Sequence, residues 1–159
     1  MTDKLEITLA SISDASLIAR MSRDYIEHGL GWRWQEKDIV QKIQDAETNV
    51  VVARMQQALC GFAMMDYAGF EAHLALFAVL PAYQRLGIGT ALVRWLVTTA
   101  QVAGAHVVYV ELRRNNQKAR AFYRSLGFQS MEPLPNYYSG REAGLRMAFD
   151  LRAPAPAGS

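Results

Sequence analysis

The stretch Pro81-Ala-Tyr-Gln-Arg-Leu-Gly-Ile-Gly-Thr90 decides the fold. An apolar run, Leu74-Ala-Leu-Phe-Ala-Val79, enters it with the look of a strand, and residues 91–103 leave it with helical spacing. Gly87 and Gly89 therefore stand where a strand hands over to a helix. Glycine accepts φ > 0 and lets another group approach the backbone closely. The first helical turn has N–H groups without intrahelical partners, and the helix dipole adds positive potential there. Such a turn suits a phosphate or pyrophosphate. Gln84 and Arg85 precede the glycines, and Arg85 can add a charged donor. A Walker A loop needs Lys-Ser/Thr after its second glycine, and Thr90-Ala91 is not that. A dinucleotide fingerprint needs a small third residue, where this chain has Leu92. A tight turn that binds nothing would carry the same glycines, so the rest of the chain has to decide.

Outward from that stretch, the periodicities alternate between strand and helix. Leu5, Ile7 and Leu9 alternate with Glu6 and Thr8, which predicts a half-buried strand. Ser13 or Asp14 caps a helix to about Tyr25, with Leu17, Ile18, Met21 and Tyr25 at helical spacing. Gly29-Leu-Gly31 breaks it, and Trp32-Arg-Trp34 leads to a second helix over about 35–45. Residues 48–54, 59–67 and 71–79 read as strands, with a turn at Gln56-Gln57. Alternation in the third of these puts His73, Ala75, Phe77 and Val79 on one face. Residues 107–112 form a buried strand parallel to it, closing a βαβ unit after the stop at Gly104. Asn115 or Asn116 caps a helix whose stripe is Ala119, Phe122, Tyr123 and Leu126, ended by Gly127. Residues 128–134 and 145–151 are the last strands, around a loop at 135–140. The expectation is one α/β domain over 1–151, with an Ala/Pro/Gly-rich disordered tail over 152–159.

The spacing Gln84-x-x-Gly87-x-Gly89 resembles the Gln/Arg-x-x-Gly-x-Gly/Ala motif of the GNAT superfamily of N-acetyltransferases. Glu111-Leu-Arg-Arg-Asn-Asn116, Ala119-Arg-Ala-Phe-Tyr123 and Leu126-Gly-Phe128 look like a second segment of that family, in the expected order and elements. Among its members, the motifs are most similar to those of the ribosomal-protein N-terminal acetyltransferases. The resemblance covers nearly the whole chain. It implies a mixed α/β fold, mostly antiparallel, with a parallel βαβ splay at the cofactor site. It implies acetyl-CoA as acyl donor, a primary amine as acceptor and no metal. By position, the backbone of Phe77, Ala78 and Val79 would pair with the pantetheine arm. Gln84, Arg85, Leu86, Gly87, Ile88, Gly89 and Thr90 would hold the pyrophosphate. Asn116 would bond the pantetheine chain or help splay the strands. The resemblance is also compatible with a homodimer.

Amide formation from a thioester requires a neutral amine, donors for the thioester oxygen and a proton for the leaving thiolate. Tyr123 matches the family position for that acid, although it also lies on the apolar stripe of its helix. Two residues compete as base. Glu111 matches the glutamate of the ribosomal-protein enzymes, and His73 falls where histone-type members carry theirs. Each also has a structural reading: Glu111 as a partner of Arg113 or Arg114, and His73 as a satisfied strand histidine. The amine could also lose its proton to solvent. Trp32, Trp34, Tyr137 and Tyr138 are candidates to line the acceptor site. The run Tyr137-Tyr138…Arg141-Glu-Ala143…Met147 resembles the tail of protein N-terminal acetyltransferases, which points to a peptide α-amine. Small-molecule amines such as polyamines, amino acids or aminoglycosides form the alternative, and a non-catalytic acyl-CoA-binding module is a third reading.

Composition limits the partners. The 159 residues carry a formal net charge of +2 and no Lys/Arg run, which gives no case for nucleic acid or an anionic membrane. No apolar stretch reaches membrane-spanning length, and the start lacks signal-peptide regions. Cys60, the single cysteine, sits among apolar residues and reads as a buried, inert thiol in a cytoplasmic protein.

Overall fold

A computed structural model describes residues 4–138 and 142–152, the side chains of 132–143 excepted. Seven strands form one sheet in the order β1-β2-β3-β4-β5-β7-β6. They are β1 (Leu5–Leu9), β2 (Thr48–Met55), β3 (Ala58–Ala68), β4 (Glu71–Val79), β5 (Val107–Arg113), β6 (Gln129–Tyr138) and β7 (Glu142–Asp150). Every neighbouring pair is antiparallel except β4 and β5. The fold is thus the expected mixed α/β arrangement. The β2–β3 hairpin turns at Gln56 and Gln57, both at positive φ (50° and 69°), which matches the twist of the flanking strands.

Helices cover both faces. On one, α3 (Ile88–Val102) and α4 (Gln117–Ser125) pack over Val51, Met65, Leu74, Val108 and Val110. On the other, α1 (Ala15–Met21) and α2 (Glu36–Gln44) pack Ile18 and Ile39 against Val52, Phe62 and Met64. Among the described residues, no helix is long and apolar enough to cross a membrane.

The structure revises four expectations. α3 begins at Ile88, so Gly89 lies inside its first turn. The first helix is α only to Met21 and then continues as a single π turn, Ser22–Ile26. β6 runs to Tyr138, through residues expected to be a loop, because pairing with β7 satisfies its backbone. The alternation along β4 is broken. Met64 pairs with Leu76 and Met65 with Leu74, so Ala75 is a bulge and the strand changes phase there. Before it, Ala72 and Leu74 face α3; after it, Phe77 and Val79 do. His73 therefore lies on the opposite face from Phe77 and Val79. The tail at 153–159 lies outside the described residues.

Candidate active site

β4 and β5 pair only from Glu71 and Val107 to Leu74 and Val110. The pairing ends where the Ala75 bulge bends β4 away. Among the described residues no strand pairs with 75–79 on that side. A cleft of about 820 Å³ occupies the gap, reaching from the 84–90 loop past α4 to the π turn.

The loop end is built from backbone. Leu80-Pro81 opens a 3₁₀ turn, Pro81–Tyr83, and the Gln84 amide donates to the Val79 carbonyl at 3.2 Å, tying the loop to the strand. Arg85 and Gly87 both take positive φ (66° and 80°). Gly87 is the N-cap of α3, and no side chain caps the helix. The first N–H groups of α3 are left for a ligand. The two glycines serve different ends. A Cβ on Gly87 would meet nothing within 4 Å, so its left-handed backbone is the requirement. A Cβ on Gly89 would sit 3.1 Å from the ring of Phe77, so there close packing of α3 on β4 is the requirement. Gln84, Arg85, Gly87, Ile88, Gly89 and Thr90 all border the cleft, as do Phe77, Ala78 and Val79. Leu86 does not border it and is 60% exposed. Asn116 also borders it; its Oδ1 accepts from Ala119 N–H at 3.0 Å as the cap of α4. An unpaired strand edge, an uncapped helix start and a cleft this size fit the elongated, pyrophosphate-bearing donor.

Midway, Tyr123 reaches the wall from α4, 5% exposed, with edge-on contacts to Phe77, Phe122 and Phe128. Across from it Glu111 projects from β5. Its Oε2 lies 2.5 Å from His73 Nε2, and its Oε1 accepts from Arg146 Nη2 at 3.3 Å. The two residues that compete as base in the sequence are one hydrogen-bonded pair. Parallel register sets His73 level with Tyr109, antiparallel register sets Glu111 level with Arg146, and the Arg146 guanidinium lies over the Tyr109 ring. Burial pushes the Glu111 carboxyl up, but the His73 hydrogen bond and charge, with Arg146, outweigh it and hold the group below the usual carboxylate range.

The far end comes from the π turn. Asp24, Tyr25, Ile26 and His28 line it, with Arg113 opposite. Glu27, buried beside them, fixes this end. It accepts from Ser22 Oγ at 2.8 Å and from Arg33 N–H at 2.6 Å, and Trp34 N–H points at the same carboxylate. Arg113 donates to the His28 carbonyl at 3.2 Å and ties the turn to β5.

Trp32 and Trp34 are not on the cleft wall. The Trp32 indole donates to the Trp34 carbonyl at 3.0 Å under the Arg23 guanidinium, and Trp34 packs into the α1–α2 core. The side chains of Tyr137 and Tyr138 lie outside the described residues. Cys60 is buried away from the cleft, donating to the Ala53 carbonyl. Among the described residues, no His/Cys/Asp/Glu group is placed to hold a metal. The π-turn residues and Arg146 were not anticipated. Arg146 had a signal: Leu145 and Met147 are apolar, so strand alternation sends Arg146 to the other face. The π turn had none, since a one-residue insertion in a helix leaves the apolar spacing ambiguous.

The sequence profile of the Acetyltransferase (GNAT) family matches residues 16–128. The chain belongs to this family. It is 30% identical over 147 residues to the ribosomal protein bS18-alanine N-acetyltransferase of Escherichia coli K12, covering 91% of this chain and 97% of the relative. It is 35% identical over 116 residues to the N-alpha-acetyltransferase RimI of Mycobacterium tuberculosis, covering 69% of this chain and 72% of that one. The crystal structure of the ribosomal-protein-S18-alanine N-acetyltransferase from Escherichia coli superposes with a TM-score of 0.80 at 27% identity, covering 97% and 98% of the two chains. This GNAT protein is an acetyl-CoA-dependent N-acetyltransferase that moves acetyl to a primary amine.

Proposed function

We propose that the acceptor is the α-amine of a polypeptide N terminus, attacked directly on the thioester in the splay between β4 and β5. The observation that carries the reading is that Glu111 and Tyr123 both border the cleft, which also takes in the backbone-built loop end and the side-chain-built far end. Support for the acceptor comes from relatives named for ribosomal protein bS18 alanine and for N-alpha acetylation.

In this reading the backbone of 77–79 aligns the pantetheine arm, and the start of α3, with Arg85, holds the pyrophosphate. The amine must shed a proton to attack. An α-amine has a pKa of about 7.7–8.0, so a useful fraction is neutral near pH 7.5. Nitrogen becomes far more acidic once it bonds to the carbonyl carbon. A Glu111 carboxylate held below its usual range can then accept the second proton. Tyr123 gives its hydroxyl proton to the departing sulfur. Cys60 has no part, so no acetyl group passes through the protein. The unpaired thiol suits a cytoplasmic setting.

The test is coenzyme A release from acetyl-CoA, read by mass spectrometry, across short peptides with free N termini, lysine side chains, polyamines and aminoglycosides. Release with free N termini alone is expected. Release confined to a small-molecule class would replace the acceptor. Saturable acetyl-CoA binding with no release from any class would favour a binding module.

A further inference from the structure

We propose that His73 is the exit for the proton lost by the acceptor amine, receiving it from Glu111 and passing it to water. The proposal rests on the reading of Glu111 as the group that takes the amine proton.

The geometry is that of a short path from cleft to surface. Glu111 borders the cleft and its side chain is 10% exposed. His73 does not border the cleft, and its side chain is 40% exposed. The two meet at 2.5 Å through Oε2 and Nε2. Arg146 Nη2 on the other carboxylate oxygen holds the carboxylate in place from β7. To receive the proton Nε2 must be the unprotonated ring nitrogen. It takes the Glu111 proton while Nδ1–H releases one to water, and exchange through solvent restores the starting tautomer.

The reaction requires such an exit. An ammonium acceptor and the thioester become an amide, a thiol and one free proton. The C–N bond forms from the nitrogen lone pair and the C–S bond breaks with its electrons on sulfur. Of the two protons nitrogen loses, the first goes to water as the amine becomes neutral and the second to Glu111. Tyr123, having protonated sulfur, takes a proton back from water, while Glu111 must pass its proton on before the next turnover. Glu111 is a poor place for it to stay, because its neighbours favour the ionised carboxylate. An imidazole, titrating near pH 6.5 in general, takes a proton from a carboxylic acid downhill. Glu111 thus supplies the reach into the cleft and His73 the proton capacity.

The surroundings of the ring leave this route open. Asp66 stands across from it on β3 but is bound to Lys42 and Thr48. Glu71 shares its strand, Tyr109 and Glu111 come from β5, and Arg146 from β7. In the π turn, Asp24 pairs with Arg23. Among the described residues, only Glu111 is hydrogen-bonded to the imidazole.

His73→Gln separates a relay from a structural bond, since Gln can still hydrogen-bond Glu111 but carries no proton away. The pH profile of kcat/KM for one peptide acceptor is measured in both proteins, so the titration of the peptide itself is common to them. The expected result is a loss of about 10²-fold near neutral pH. Acetyl-CoA affinity and melting point should stay unchanged, and the acid limb in the imidazole range should disappear. An unchanged rate, or a reduced rate with the same limb, overturns the exit. Failure of the wild-type protein to acetylate any amine would instead fail the acceptor reading. NMR decides the relay without an acceptor. The His73 ring resonances are followed against pH, and their midpoint should move in Glu111→Gln. A midpoint indifferent to Glu111 overturns the proposal.

Discussion

In the proposed reading the donor half of the cleft is bordered by two stretches of backbone, 77–79 and 84–90 without Leu86, and the acceptor half by side chains scattered between Asp24 and Arg113, with Arg146 behind Glu111. Under the proposed function the difference follows from what each half would bind. A pyrophosphate and an extended amide chain are met by N–H and C=O groups, which every residue owns, so a bulge, two glycines and a helix start suffice. An amine that must be held and deprotonated needs carboxylates and imidazoles at fixed positions, and only packing of distant elements fixes them. Here Glu27 holds the 28–34 loop and Arg113 ties it to β5, while His73 and Arg146 hold Glu111.

Tyr123 stands where the halves meet, and its variant should have the largest effect. Tyr123→Phe keeps the aromatic packing and removes the proton. Turnover should fall about 10²–10⁴-fold, with acetyl-CoA affinity unchanged by calorimetry. Turnover equal to wild type would remove Tyr123 as the acid.

Gly87→Val should damage the donor half alone. An L-residue in the left-handed region costs about 1–2 kcal/mol, and a β-branched one more. Acetyl-CoA should bind at least about tenfold more weakly by titration. A Cβ there meets nothing, so the loss of stability should be limited to that backbone strain, about 1–2 kcal/mol or a little more, whereas Gly89→Val also forces Phe77 to move. Wild-type affinity in Gly87→Val would break the assignment of the loop.

The smallest effect should come from the acceptor half. Glu27→Ala leaves the Arg33 and Trp34 N–H groups and Ser22 Oγ without their acceptor, a cost of about 1–3 kcal/mol in stability. The KM for a peptide acceptor should rise while acetyl-CoA affinity holds. Glu27→Gln, whose Oε1 can still accept from the two N–H groups while its amide NH2 donates to Ser22 Oγ, should restore most of it. A variant that weakened acetyl-CoA binding and left the acceptor KM alone would break the division between the halves.

The same division governs what could be read beforehand. The order of strands and helices was legible because apolar residues repeat at 2 and 3.6 along each segment. The Gln84–Gly89 motif was legible because its parts are neighbours in the chain. Local chemistry in the same way narrowed the cap of α4 to Asn115 or Asn116, and the structure has Asn116. The acceptor end was not legible. Trp32 and Trp34 suggested a binding surface, but one bonds the other and the second is spent on the core.

The sequence by itself determined the family, the glycine spacing of the 84–90 loop and the two candidate bases, since each depends on residue type and short spacing. Tertiary structure decided what those bases are to one another. The bulge at Ala75 puts His73 on the opposite face from Phe77, and parallel pairing of β4 with β5 sets it beside Glu111. β7 then brings Arg146 to the same carboxylate from 35 residues away. Register and strand order are set by burial over the whole sheet, and no local pattern carries them.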